Sequence, residues 1–356
     1  MTRIGKKEQL LPIGIDLGSE SVKVVQLRIE NGSTQLIAAE SAPVPDAKVS
    51  IPEKLAEFTK ALKLILKKGH FHGKQAILSI PAEWTFVHHL RIPKAVGNES
   101  LDSAIKIELR DKLPYRLNDA ILRYVVAGDV YDDGDPQQEV IAISAKRNVL
   151  EAYAKAAKRA GLEVTGINIE SCAIVECFAH LFRRQADLSR TILFVDLGTK
   201  TTQVVFSRGN KLVFARNLMM AGESMTQIAS EALGISPAET DAVRMDILAN
   251  RESEITPDRL YDAYSGSVGV LSDELMQCMR YYESVFPGFA VERAIFVGGQ
   301  AYDRRLCQLV AQRLNLPAQI GDPLVKIQRL DNALGTNNPM PNWAVAIGLS
   351  LGAEAA

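Results

Sequence analysis

The chain has 356 residues, of which 41 are Lys or Arg and 42 are Asp or Glu, for a formal net charge of −1. That balance gives no global field to draw it onto nucleic acid or anionic lipid, and the length is too great for one compact core and suits two lobes. Its four cysteines, Cys172, Cys177, Cys278 and Cys307, form no Cys-x-x-Cys pair, which argues against a disulfide framework or a zinc site and fits a reducing compartment.

Lys6 and Lys7 precede an apolar run that Pro12 and Asp16 break, so this stretch is not read as a signal peptide. From Ile13 to Val25 the pattern is strand, tight turn, strand, with Asp16-Leu17-Gly18 at the bend. Asn31-Gly32 is a two-residue hairpin signal leading to a third run from Thr34 to Ala39. Pro43 to Pro45 closes this meander, and Ser50 to Glu53 opens a helix that buries Leu55, Phe58, Leu62, Ile65 and Leu66 and stops at Gly69.

The stretch from Gly69 to Gln75 has the outline of a P-loop. It is one residue short, lacks a hydroxyl residue after Lys74 and follows a helix, so it is rejected. His70, His72, His88 and His89 have no carboxylate or cysteine at ligand spacing and read as surface or strand histidines. Strands are expected from Gln75 to Pro81 and from Thr85 to Ile92.

A shift of composition then marks an inserted module. Asn98 or Ser100 caps a helix with Leu101, Ala104, Ile105, Leu109 and Leu113 on its buried face, Ile107 off it, and Pro114 as its stop. Strands from Ile121 to Val130 and Glu139 to Ser144 flank the acidic joint Asp132 to Pro136. Tyr131 and Val140 stand where a calcium loop needs ligands, so the joint reads as a hairpin tip. A helix from Val149 to Arg159 and a strand from Val164 to Ile169 follow. Glu170 closes that strand and Ser171 begins a helix; the carboxylate either orients a water or compensates the helix dipole.

The opening pattern then returns. Phe194 to Val205 repeats it, with Asp196, Leu197, Gly198, Val204 and Val205 standing for Asp16, Leu17, Gly18, Val24 and Val25. Arg208-Gly209-Asn210 leads to a third run from Lys211 to Leu218. Two matched meanders imply two similar half-domains facing each other. Turn amides beside glycine form a nest that favours phosphate oxygens, and Ser19, Ser21, Thr199, Thr201 and Thr202 add hydroxyls. An Asp in each turn repels bare phosphate but holds it through Mg²⁺ and its waters.

Beyond the second meander, helices are expected from Glu223 to Leu233 and from Pro237 to about Leu248. On the latter, Asp241 and Arg244 either frame a ribose and base or form a surface pair. Leu271, Leu275, Cys278 and Met279 mark a further core helix. Ala294 to Val297 runs into Gly298-Gly299, where a flat ring or phosphate can approach the backbone, and a helix follows from Arg304 to Leu314. Pro317 to Ile320 is a last short strand. The apolar stretch from Trp343 to Leu351 is too short to span a bilayer, and a helix from Asn342 to Leu351, with Gly348 and Gly352 allowing close contact, is expected to pack in the first lobe.

This order of parts resembles the actin-like ATPase superfamily, which includes heat-shock ATPase chaperones, sugar kinases and FtsA. The resemblance implies an α/β, ribonuclease H-like duplicated ATPase fold with two lobes around a nucleotide cleft, its lobes hinged by the helices after Glu170 and Asn342. It implies a first lobe over 1–189 with a small subdomain inserted at about 93–145, a second lobe over 190–335, and a helix in 336–356 returning to the first. ATP and Mg²⁺ would lie between the lobes. Asp16 and Asp196 would position the metal and water with Glu170 assisting. Gly18, Ser19, Ser21, Lys23, Gly198, Thr199 and Thr201 would hold phosphates, and Gly298, Gly299, Asp241 and Arg244 would hold adenosine.

Within that superfamily the chain is most similar to the PilM family of cytoplasmic type IV pilus assembly proteins. Ile105 to Glu108 leading to Leu113-Pro114-Tyr115, Phe214-Ala215-Arg216 and Gly222 to Thr226 carry the likeness. Tyr115 replaces a usual Phe, Ala221 the first Gly of a pair, and Asp241 and Arg244 a usual Glu and Lys. The resemblance implies a nucleotide-binding scaffold whose inserted module and first lobe form a groove for the N-terminal peptide of a PilN-type inner-membrane protein. Other pilus assembly proteins would be further partners, with no nucleic acid and no membrane span of its own. Two other readings use the same fold. An FtsA-like division protein usually carries a C-terminal amphipathic membrane helix, which the tail from Gly352 to Ala356 does not supply. A small-molecule kinase needs a base aimed at a substrate hydroxyl, and no second acidic cluster offers one.

Overall fold

In the computed structural model, residues 8–44, 51–94, 98–132, 134–182, 184–330, 334 and 339–352 are described. Lys6, Lys7, Pro45, Ser50, Asp133 in the acidic joint and the tail after Gly352 lie outside them.

The first lobe opens with the strands β1 (Glu8–Leu10), β2 (Ile13–Leu17), β3 (Ser21–Glu30) and β4 (Ser33–Pro43), then helix α1 (Ile51–Lys68) and strand β5 (Gln75–Ile80). The inserted elements are β6 (Thr85–Pro93), α2 (Asn98–Leu109), β7 (Ala120–Asp132) and β8 (Asp135–Lys146). Helix α3 (Arg147–Arg159), strand β9 (Glu163–Ile169) and helix α4 (Glu170–Phe178) complete the lobe. The second lobe is built from β10 (Thr191–Leu197), β11 (Thr202–Arg208), β12 (Lys211–Leu218), α5 (Gly222–Leu233), α6 (Pro237–Leu248), α7 (Pro257–Val285), β13 (Val291–Val297), α8 (Arg304–Leu314) and β14 (Ala318–Ile320). A strand β15 (Ile327–Arg329) and helix α9 (Ala344–Leu351) return to the first lobe.

The duplication is visible strand by strand. The larger sheet runs β15-β4-β3-β2-β5-β9, with β1 on β3, and the smaller runs β12-β11-β10-β13-β14. In each, an antiparallel meander is continued by parallel strands: β5 and β9 beyond β2, β13 and β14 beyond β10. The central strands β2 and β10 are apolar along most of their length because both faces of each sheet are covered. On the larger sheet, Ile13, Ile15, Val22 and Val24 pack under Phe58 and Leu62 of α1 and Tyr153 of α3. Val25, Leu27 and Leu36 on the opposite face join α4 and α9 in the core that continues into the second lobe.

Helices α4 and α9, the expected hinges, touch closely. A Cβ on Gly348 would lie 1.8 Å from the Ala173 carbonyl oxygen, and one on Gly14 of β2 would lie 2.1 Å from that of Ala346. Gly352 has only an ordinary contact, 3.5 Å from Glu176.

Several elements differ from the sequence expectation. Helix α2 ends at Leu109, and Leu113 packs from the turns that follow, because the chain must bend ahead of Pro114. The short edge strands β1 and β15 were not expected, having too few residues to show a period. Thr85–Pro93, which ends where the inserted module was expected to begin, pairs with β8, so β6-β8-β7 form a separate three-stranded sheet.

Gly348→Ala is expected to destabilise the fold by about 3 kcal/mol, since neither helix backbone can give way cheaply. Chemical denaturation measures it; a change below about 0.5 kcal/mol would contradict the close contact.

Candidate functional site

Asp16 and Asp196 occupy the next-to-last positions of β2 and β10. In both hairpins the antiparallel register sets a residue seven places on directly opposite: Lys23 opposite Asp16 and Gln203 opposite Asp196. Each bend needs its glycine, because a Cβ on Gly18 would lie 2.9 Å from the Ser21 carbonyl oxygen and one on Gly198 would lie 2.7 Å from that of Thr201. The same contact at the same offset in both lobes is the structural trace of the repeat.

Both bends open onto one cleft. Its wall contains Asp16, Gly18, Ser19, Ser21 and Lys23 from the first, and Asp196, Gly198, Thr199 and Thr201 from the second. Glu170 enters it at the head of α4, and Gly298 and Gly299 at the end of β13. Gly298 has φ +89°, and a Cβ there would stand 2.3 Å from Asp196 Oδ1, so this position admits glycine alone. Its N–H donates to the Pro341 carbonyl at 3.1 Å, which holds the approach to α9 against the cleft.

Other expected residues are elsewhere. Thr202 is buried and donates to the Met220 carbonyl at 2.7 Å, pinning the second bend from behind. Asp241 and Arg244 do not line the cleft and do not form a surface pair. Arg244 is turned inward, its Nε donating to Asp303 Oδ2 at 2.9 Å and its Nη1 to Gln300. Asp303 Oδ1 also accepts the Tyr261 hydroxyl at 2.7 Å and the Leu306 N–H at 2.9 Å, so this buried pair braces the start of α8. Exposed Asp241 accepts the Thr226 hydroxyl at 2.9 Å.

Further contributors were not singled out in the sequence. Gln203 donates from Nε2 to Glu170 Oε2 and to Asp196 Oδ2, the latter at 3.4 Å, while its Oε1 accepts the Ser171 hydroxyl at 3.0 Å. Its signal was present: the spacing from Asp16 to Lys23 recurs from Asp196 to Gln203. Ser79, at the end of β5, accepts the Leu17 N–H at 2.9 Å and reaches Asp16 Oδ1 at 3.5 Å. Lys54 of α1 pairs with Glu83 at the cleft edge, and nothing local in the sequence marks either.

The electrostatics are those of a site short of cations. Five carboxylates, from Asp16, Glu20, Glu83, Glu170 and Asp196, line the cleft against the three lysines Lys23, Lys54 and Lys200. Burial first, then the charge of Asp16, pushes Asp196 from the usual 3.8 up to about 7, although Lys23 opposes the shift. Burial, and then Asp16 and Asp196, raise Glu170 well above its ordinary range, opposed by Lys23 and the bond from Gln203. Lys23 Nζ lies 3.3 Å from Asp16 Oδ2. Such a donor set fits a hard divalent cation. Among the described residues no three His, Cys, Asp or Glu side chains are placed to hold an ion together.

A carboxylate with a raised folded-state pKa is protonated more in the folded than in the unfolded chain, so it costs stability as pH rises through the interval between the two values. For Asp196 that window runs from about 4 to about 7. Asp196→Asn is therefore expected to raise the stability of the ligand-free protein at pH 8 by ~2–4 kcal/mol and to leave it unchanged near pH 4. Thermal melts across this range check it; a variant less stable than the parent at pH 8 would contradict the crowding.

Residues 14–354 match the family described as type IV pilus assembly protein PilM. Among solved structures, the chain is similar to one titled PilM-PilN type IV pilus biogenesis complex, at TM-score 0.79 and 18% identity over 96% of this chain and 98% of that one. It is also similar to the ethanolamine utilization protein EutJ from Carboxydothermus hydrogenoformans, at TM-score 0.54 and 12% identity over 98% and 91% of the two chains. The fold is that of the actin-like ATPases, with two lobes about the cleft just described. With a family match over nearly its whole length, the chain belongs to the PilM family of type IV pilus assembly proteins.

Proposed function

We propose that this PilM-family chain is an ATP-binding scaffold of the pilus assembly machinery, holding Mg²⁺ and ATP between its lobes and the N-terminal peptide of a PilN-type inner-membrane protein in a groove of the first lobe. The observation that carries the nucleotide reading is the convergence of two glycine bends, each with an Asp, on one cleft. Turn amides and the hydroxyls of Ser19, Ser21, Thr199 and Thr201 are the donors for phosphate oxygens. Asp16 and Asp196 would hold the metal through its waters; when bound, the metal neutralises carboxylate and phosphate charge together. Lys23 supplies a fixed positive charge beside Asp16. Glu170, positioned by Gln203, is the group placed to orient a water, and Gly298-Gly299 leave the backbone open to the adenosine end.

The peptide site is argued from an apolar groove between the inserted sheet and the first lobe. Ile121, Val125 and Ile143 form one wall, and Leu150 of α3 with Ile167 and Ile169 of β9 form the other. β7 and β9 are edge strands of their sheets, and Ile167 is 38% exposed. An extended peptide laid there gains backbone hydrogen bonds from an edge and seats alternate apolar side chains. The pairing with PilN in the similar solved complex supports the same class of partner for this chain, and with it a place at the cytoplasmic face of the inner membrane. No helix among the described residues is long and apolar enough to cross a membrane.

Calorimetric titration tests both sites. Asp16→Ala is expected to weaken MgATP binding at least tenfold, about 1.4 kcal/mol, and to leave peptide binding intact. Ile167→Glu is expected to abolish binding of the N-terminal peptide of the PilN-type protein and to leave MgATP affinity unchanged. Equal MgATP affinity in Asp16→Ala would contradict the cleft assignment, and full peptide affinity in Ile167→Glu would contradict the groove.

A further inference from the structure

The inserted sheet belongs to the first lobe by connectivity and to the second by packing. β6 leaves the first lobe directly after Trp84, and β8 runs without a gap into α3 at Arg147. One face of the sheet carries α2, packed on Leu90, Ile92, Val140 and Ala142. Strand alternation puts the neighbouring residues on the other face, where Ala127, Ile141 and Ile143 join the core shared by both lobes, and strands β6, β7 and β8 all touch β12 of the second lobe. Farther along, the same face becomes a groove wall: Val125 and Ile143 belong both to that shared core and to the groove lining.

The contact with the second lobe has a polar centre. Glu139 of β8 is fully buried, with Oε1 3.1 Å from His89 Nδ1 on β6 and accepting the Tyr281 hydroxyl of α7 at 3.0 Å. Arg91 Nε stands 3.7 Å from its other oxygen. The His89 ring stacks on Phe214 of β12 at 4.5 Å, and its Nε2 lies 3.1 Å from the Ala215 carbonyl oxygen. Nearby, Arg208 of the second lobe donates to the Ala127 carbonyl at 2.9 Å. A buried carboxylate held by groups from both sides is costly to pull open, whereas the polar contact among the described residues at the groove is the single long bond from Arg147 Nη2 to the Ala120 carbonyl at 3.4 Å.

We propose that the inserted sheet is carried by the second lobe through the His89–Glu139–Tyr281 joint, so that a change of angle between the lobes alters the width of the groove between the insert and the first lobe. The two ligand sites then communicate through rigid movement of one sheet. This rests on the nucleotide and groove assignments above, yet the joint can be tested without either ligand.

Amide hydrogen exchange on the full chain provides the test, with MgATP as the probe and His89→Leu and Tyr281→Phe as variants. Without ligand, His89→Leu is expected to speed exchange in β7 and β12 by about fivefold or more, and Tyr281→Phe, which keeps the ring and guards against misfolding, by a smaller factor. With MgATP, exchange between Ile121 and Val125 is expected to respond in the parent and not in His89→Leu, while both protect the cleft bends. Unchanged ligand-free exchange in both variants, or an equal MgATP response of β7 in His89→Leu, would overturn the joint. If MgATP protects no cleft bend in the parent, the nucleotide reading falls instead, and the ligand-free comparison decides the joint.

Discussion

Three carboxylates crowded at the seam between two lobes are the constraint on which this structure turns. Asp16, Asp196 and Glu170 arrive from the ends of β2 and β10 and the head of α4, and burial with their mutual repulsion raises Asp196 and Glu170 far from their ordinary acidity. A folded chain keeps such a cluster only if the surrounding structure over-determines it. Here the supports are Lys23 facing Asp16, Gln203 bridging Asp196 and Glu170, and Ser79 beneath Asp16. Gly298 admits Asp196 to the place it occupies. On the proposed function, a cation and a polyanion filling the cleft would offset this cost and so tie lobe angle to occupancy.

The same seam explains the architecture around it. α4 starts at Glu170, and the approach to α9 is tied to Gly298, so both elements linking the lobes begin in the cleft wall. They pass each other at Gly348 and Ala173 with no room for a methyl group. A change in the cleft is therefore handed to two helices that cannot slide freely. The inserted sheet adds a second route, being tethered to one lobe by its chain ends and to the other by Glu139 and its partners.

The repeat was legible in the sequence because both copies keep Asp-Leu-Gly before a β-branched run, and the shared cleft followed from that symmetry. Strands and helices with a clear period were legible for the same reason. The sequence left Arg244 between a nucleotide contact and a surface pair, because a helix spacing of three suggests a local partner, whereas its partner Asp303 is far along the chain at the head of α8. His89 read as an unremarkable strand histidine, since its partners Glu139, Phe214 and Ala215 come from two distant strands, β8 and β12. Gln203 was within reach through the seven-residue offset, but a neutral amide in the place of a lysine conceals the correspondence. Tertiary partnership of polar groups is what a single sequence hides, because no periodicity records it.

The central claim is that Asp196 and Glu170 hold protons more tightly than ordinary carboxylates until a cation neutralises the cleft. Proton linkage measures this: MgATP binding followed by calorimetry at pH 7 in two buffers of different ionisation enthalpy. Binding is expected to release protons, since burial and the charge of Asp16 push Asp196 up to about 7 and Glu170 is raised as well. Binding with no proton release, or with proton uptake, would contradict the account.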